Sequence, residues 1–178
     1  MFEALKNLMA DLAGDEAQSR AFAEDDYRVA AAALLVHVAD IDGQMAAPER
    51  QRVKDLIAEH FALDPVASAR LIATAERADR ESVDLYHFTS LLKRTLDAPG
   101  RRKMIEMMWA VAYADGKVGE FEENVVWRVA ELLGIPSRER IALRQEVAAA
   151  QIQPEAAPQP AAEEFSGPWT AVKPVAGR

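Results

Sequence analysis

Apolar side chains recur every three or four residues through most of the chain, the spacing that places them on one face of an α-helix. The first such stripe runs over Phe2–Leu12 and the second over Tyr27–Ile41. Asp64, followed by Pro65, and Asp84 stand where helices are expected to begin, because Asp caps a first turn and Pro is tolerated in one. No segment shows the strict alternation of a β-strand. The pattern predicts an all-α bundle of about eight helices.

Two short segments repeat the same order of residue types. VADIDGQMAAPE occupies residues 38–49, and VAYADGKVGEFE occupies residues 111–122. In both, an Asp-Gly pair precedes a Glu, and the Glu begins the next apolar stripe. We interpret this as an internal duplication of a helix–loop–helix unit, which predicts a body with approximate two-fold symmetry.

Composition changes near residue 150. Five of the nine prolines lie in the last 28 residues, and proline removes a helical donor and clashes with the preceding turn. We therefore expect a helical domain over 1–150 and a disordered Pro/Ala-rich tail over 151–178. Phe165 and Trp169 lie in this tail. They are either anchors that bind a partner or aromatic side chains that rest on the body.

Composition also limits location and partners. The chain has no cysteine, which suits a reducing cytoplasm and excludes disulfides and thiolate metal sites. The longest apolar stretch, Val29–Ala39, is too short to span a bilayer, so no transmembrane segment is expected. The net charge of −8 opposes binding to nucleic acid. A cytoplasmic location follows from these features as an expectation.

The segment AYADGKVGEFEENVVWRVAELLGI, residues 112–135, resembles the TerB-like family, which includes tellurite-resistance TerB proteins and the N-terminal domain of the co-chaperone DjlA. The family pattern is Ala-Asp-Gly, an apolar residue two places on, Glu, and then an apolar helix that ends in Leu-Gly. The second segment fits it at Asp115, Gly116, Val118, Glu122, Leu133 and Gly134, and the first fits at Asp40, Asp42, Gly43, Met45 and Glu49. The resemblance covers about residues 25–147. It implies an all-helical fold and a role in stress response or envelope assemblies. It does not imply J-domain activity, because the chain has no His-Pro-Asp triplet.

The two loops are candidate metal sites. When each Asp-Gly glycine is aligned with the invariant glycine of a calcium EF-hand loop, Asp40, Asp42 and Glu49 fall on ligand positions in the first loop, and Asp115 and Glu122 do so in the second. Calcium takes about six to eight oxygen ligands, so these side chains need carbonyls, water or sharing of one ion to complete a site. A divalent cation such as calcium is the one cofactor that these loops suggest.

A purely structural interpretation competes with the metal site. Gly43 and Gly116 are expected to adopt positive φ at a helix end, and the preceding Asp satisfies turn amides. Glu49 and Glu122 stand in the first turn of a helix, where the helix dipole favours an acid. This interpretation explains every shared residue except Asp40.

Other chemistry is weakly represented. His37, His60 and His87 are the only histidines, and neither His37 nor His87 stands in a Glu-x-x-His motif of a di-iron bundle. No phosphate loop, dinucleotide fingerprint or Gly-x-Ser-x-Gly occurs, so we expect no enzymatic activity. The sequence thus predicts a non-enzymatic TerB-like module for protein interaction or stress-response scaffolding linked to tellurite or metal stress. The alternative is a divalent-cation-binding sensor that uses the Asp-Gly loops. The protein partner and the oligomeric state stay open.

Overall fold

The computed structural model describes residues 22, 23 and 25–152. Its helices are α1 (Tyr27–Ala39), α2 (Ala47–Phe61), α3 (Pro65–Glu81), α4 (Tyr86–Thr95), α5 (Ala98–Ala112), α6 (Glu120–Leu132) and α7 (Ser137–Ile152). No strand occurs in these residues, so the all-α class is confirmed for them. The eighth helix of the sequence prediction, over Phe2–Leu12, lies outside the described residues. The last helix ends two residues past the predicted boundary at 150, and the rest of the proposed tail is also outside.

Aspartate caps set several of the helix starts. Asp64 Oδ1 accepts the amides of Val66 and Ala67, both at 2.8 Å, as the Asp-Pro pair predicted. Asp26 and Asp97 cap α1 and α5 in the same way. A cap of this kind satisfies amides that have no partner within the helix, and it stabilises the fold by about 1 kcal/mol.

Helix α1 is the centre of the bundle. Ten of its 13 residues are buried, and it packs against α2, α3, α4, α5 and α6. The run Ala30–Ala33 lets these neighbours approach closely, while Leu34 and Leu35 fill the space between them and are fully buried. A helix that is apolar on all sides is stable only when other elements surround it, and the chain wraps the remaining helices around it.

Helix α5 is the second core helix and packs against α1, α2, α6 and α7. Trp109 is buried in the last turn of α5, and its ring meets that of Trp127 edge to face, with the ring centroids 5.9 Å apart. At the start of α5, Arg102 forms ion pairs with Glu139 and Glu146 of α7 at 3.1 and 2.8 Å. These ion pairs connect α7 to α5 at the surface of the bundle.

The two core helices occupy equivalent places in the chain. Each of α1 and α5 is followed by an Asp-Gly loop and then by a helix, α2 or α6 respectively. The core helices touch each other, and α2 also touches α5 while α6 touches α1. This arrangement brings the two loops to one region of the bundle. The duplication itself stays a prediction. None of the described helices is both long and apolar enough to cross a bilayer.

Candidate functional site: the paired Asp-Gly loops

The first Asp-Gly loop is a tight turn after α1. Gly43 has φ +75°, and its amide donates to the carbonyl of Asp40 at 2.9 Å. The carboxylate of Asp42 accepts the amide of Gln44 at 2.9 Å. The positive φ agrees with the sequence prediction and is accessible to glycine without strain. Asp40 therefore enters the turn through its backbone carbonyl, and its exposed carboxylate makes no hydrogen bond or ion pair with a described residue.

The second loop has the same geometry. Gly116 has φ +86°, and its amide donates to the carbonyl of Tyr113 at 3.0 Å. The carboxylate of Asp115 accepts the amide of Lys117 at 2.9 Å. In both Asp-Gly pairs, the aspartate side chain therefore accepts an amide of its own turn, as the structural interpretation expected.

The two glutamates cap the helices that follow. Glu49 Oε2 accepts the amide of Ala46 at 2.7 Å, and Glu122 Oε2 accepts the amide of Gly119 at 2.5 Å. In each case the side chain of the third helical residue reaches back to the N-cap amide, which is the glutamate half of a capping box. Neither Ala46 nor Gly119 has a side-chain acceptor for the other half.

The carboxyl groups of Glu49 and Glu122 lie against each other between α2 and α6. Glu49 is only 6% exposed. Burial, the adjacent Glu49 carboxyl and the charge of Asp115 raise the pKa of Glu122 to about 7, although the Gly119 amide acts in the opposite direction. Poor hydration and a like charge nearby both disfavour the ionised form of the Glu122 carboxyl, which is why its pKa is raised.

One oxygen of this pair is unsatisfied. Glu122 Oε1 is buried and has no hydrogen-bond partner among the described residues. Two ionised carboxylates can only accept, but a single proton held between them supplies the missing donor. A divalent cation in the same place would neutralise the pair as well. Protonation of this pair therefore changes the charge between α2 and α6.

The five predicted metal ligands do not gather into one cluster. Glu49 and Glu122 meet, whereas Asp40, Asp42 and Asp115 are exposed on the loops. Within the described part of the chain, no three His, Asp or Glu side chains are placed to hold a metal ion together. The two glutamates would therefore supply the side-chain ligands of any cation here, and backbone carbonyls or water would supply the rest.

The sequence did not predict the contact between Glu49 and Glu122. This contact depends on how α2 and α6 pack, which local patterns do not determine. The available signal was the repeat, because equivalent residues of two copies meet when they lie near the axis that relates the copies.

A second feature surrounds the connection between α3 and α4. We name residues Ser82–Tyr86 the Val83 ridge. It separates a cleft of about 360 Å³ from one of about 400 Å³. Val83 is fully exposed and Tyr86 is 66% exposed. In the second cleft, His37 Nδ1 lies 2.8 Å from Asp79 Oδ1, so this histidine pairs across the fold.

The predicted partner-binding residues, Phe165 and Trp169, lie outside the described residues.

Comparison with known families identifies one match. A family profile described as "Tellurite resistance protein TerB" matches residues 28–145. The matched region extends from α1 into α7 and contains both Asp-Gly loops. No curated protein matches the chain, and no solved structure does.

Proposed function

Because the chain belongs to the tellurite resistance TerB family, we propose that it is a non-enzymatic helical module that acts in stress response by binding another protein in the cytoplasm. The observation that carries the interaction role is the Val83 ridge. A valine and a tyrosine are exposed on one short connection between two clefts. Aromatic residues are enriched at protein interfaces, and clefts beside an apolar ridge can receive a partner's side chains.

The test is complementation of growth in tellurite. Cells that lack the gene receive the wild-type chain or the double variant Val83→Asp, Tyr86→Ala. Both side chains are exposed, so the variant is expected to fold with unchanged helicity by circular dichroism. We expect it to fail to restore growth, because loss of an interface anchor weakens binding by about 2 kcal/mol or more, roughly thirtyfold.

Val66→Asp is the matched control. Val66 is 60% exposed at the start of α3 and lines neither cleft beside the ridge, so this variant is expected to restore growth. If the ridge variant restores growth as well as the wild type, the ridge is not the interaction surface. If loss of the gene leaves tolerance to tellurite unchanged, the stress-response part of the proposal is wrong.

A divalent-cation sensor is the second candidate, and it is favoured by the contact between Glu49 and Glu122. A cation between the two carboxylates would link α2 to α6 and remove their repulsion. The ion concentration would then determine the stability of the contact between α2 and α6. The donor set is incomplete, because two carboxylates supply fewer oxygens than calcium takes.

Calorimetric titration of the full chain with calcium, magnesium, manganese and zinc at about pH 7.5 tests this candidate. Binding should raise the melting temperature, with a stabilisation of about 2.7 kcal/mol when the ion is at a hundred times its Kd. Glu49→Gln should abolish the effect, and Glu59→Gln, a change at an exposed position of the same helix, should preserve it. If all four ions at millimolar concentration give no heat and no thermal shift, the loops act only as turns and caps.

A further inference from the structure

A groove between α2 and α5 runs past the carboxyl-terminal end of α7. It consists of two clefts of about 310 and 330 Å³ that share Arg52 and Ala110 in their walls. We name it the Arg52 groove. Leu56, Met107 and Val147 contribute apolar surface to the first cleft.

Arg52 is half-buried and has no partner among the described residues. Its Nε is buried without an acceptor, and the side chain makes no hydrogen bond or ion pair with any described residue. A buried donor left in this state costs about 1–3 kcal/mol, and more when it is charged.

The acids that line the groove near α5 and α7 already have partners. Glu106 pairs with Lys103 at 3.3 Å, and Glu146 pairs with Arg102 at 2.8 Å. Asp55, on the α2 wall of the second cleft, accepts the side-chain amide of Gln51 at 2.8 Å. No described acid that lines the groove is therefore paired with Arg52, and its guanidinium is available to an acceptor from the rest of the chain.

The rest of the chain contains acceptors and begins close to this groove. Ala150, two residues before the last described residue, lines the first cleft. The sequence then continues over residues 153–178, with three glutamates against one lysine and one arginine. Two of these glutamates, Glu163 and Glu164, directly precede Phe165. This order of two acids and an aromatic ring matches a groove that offers a cation beside apolar surface.

The distances allow this. A proline-rich segment in extended form spans about 3.1 Å per residue, so Glu163 can lie as far as about 34 Å from the end of α7. The α5 wall of the groove, between Lys103 and Ala114, is about 16 Å long at 1.5 Å per helical residue. The segment is therefore long enough to reach any part of the groove.

We propose that the Arg52 groove binds residues 153–178 of the same chain, with a carboxylate of Glu163 or Glu164 paired to Arg52 and Phe165 in the adjoining cleft. The groove is then an intramolecular docking site. It withdraws the aromatic side chains of this segment from other partners until a competitor with a similar acidic and aromatic sequence displaces it.

Disulfide trapping in the full chain tests the proposal, because the protein has no cysteine of its own. Ser166→Cys is combined with Gln51→Cys, which lies in the wall of the groove, and a mild oxidant is added to dilute protein. The comparison pair is Ser166→Cys with Val66→Cys, an exposed position at the start of α3 that lines neither cleft of the groove. We expect the groove pair to form an intramolecular disulfide about tenfold faster, because docking raises the effective concentration of one thiol at the other.

Arg52→Gln in the groove pair should remove most of this difference, and Arg50→Gln should leave it unchanged. Arg50 is the matched control because it carries the same charge on an exposed flank of the same helix. Circular dichroism of each variant establishes that the helices are intact. Equal trapping rates for the two cysteine pairs would overturn the proposal. Trapping that rises with protein concentration and gives disulfide-linked dimers would also overturn it, and would assign the groove to a second copy of the chain.

Discussion

Replacement of Glu122 by Gln should make the folding stability of this protein less sensitive to pH. In the wild type, the Glu122 carboxyl faces Glu49 and has its pKa raised to about 7 by burial and by that neighbour. Glutamine is neutral at every pH, still accepts from the Gly119 amide through its oxygen, and offers an N–H towards Glu49. The variant therefore imitates the protonated form of the pair permanently.

The direction of the pH dependence follows from the protonation of Glu122 in the folded and unfolded chains. Below a pH of about 4.5, folded and unfolded chains both hold the Glu122 proton, and the stabilisation that it gives is complete. Between that value and a pH of about 7, only the folded chain holds the proton, so the free energy of unfolding decreases as pH rises. Above this range neither state holds it, and the stabilisation is lost.

The size of the effect follows from the raised pKa. At about 1.4 kcal/mol per pKa unit, the difference between 4.5 and about 7 corresponds to at most about 3.5 kcal/mol. Glu122 is only partly buried, and solvent screens part of this interaction. We therefore expect the wild type to lose about 1–2 kcal/mol relative to Glu122→Gln between about pH 5 and pH 8.

Urea unfolding at several pH values, with a chelator present so that no cation occupies the pair, measures this difference. Subtracting the variant from the wild type cancels the titration of other groups. Glu120→Gln, an exposed acid in the same first turn of α6, controls for the loss of a negative charge near a helix amino terminus. A wild-type-minus-variant difference that stays constant between about pH 5 and pH 8, or that grows in favour of the wild type at high pH, would refute the reasoning.

Three further predictions concern the fold and are measured by urea unfolding at neutral pH. Gly43→Ala and Gly116→Ala should each destabilise the protein by about 1 kcal/mol through the left-handed backbone alone, because a Cβ at either position has open space around it; no loss at either would contradict the turn geometry. Asp64→Ala should remove the cap of α3 and reduce stability by about 1 kcal/mol. Leu34→Ala should reduce it by about 2–5 kcal/mol because the side chain is fully buried in α1, while Val83→Ala, at a fully exposed position, should change it by less than about 0.5 kcal/mol.

Local features of the fold could be predicted from the sequence because they depend on a few adjacent residues. The cap at Asp64 and the positive φ of Gly43 and Gly116 each follow from the chemistry of one or two side chains. The same holds for the all-α class, which rests on apolar spacing. The TerB-like resemblance, carried by the doubled Asp-Gly loop and the helix order, is confirmed by the family match.

Contacts across the bundle could not be predicted in this way. His37 stands three residues before Asp40, which places both on one face of a helix, yet its partner is Asp79 of α3. The meeting of Glu49 with Glu122 depends equally on how separate helices pack. A local motif determines which groups point out of a turn, whereas the packing of α2 against α5 and of α6 against α1 determines which of these groups meet.

The burial of α1 has a consequence for how the protein opens. Because this helix touches five of the other six described helices, none of its sides can be exposed unless most of the bundle separates. The backbone amides of α1 should therefore exchange with deuterated water only through global unfolding, at rates that follow the full free energy of unfolding. The amides of the two Asp-Gly loops should exchange far sooner. Although the sequence repeats itself, the chain should not divide into two separately folding halves. Helix α1 packs against α2, α3 and α4 and also against α5 and α6, so neither half could fold without it.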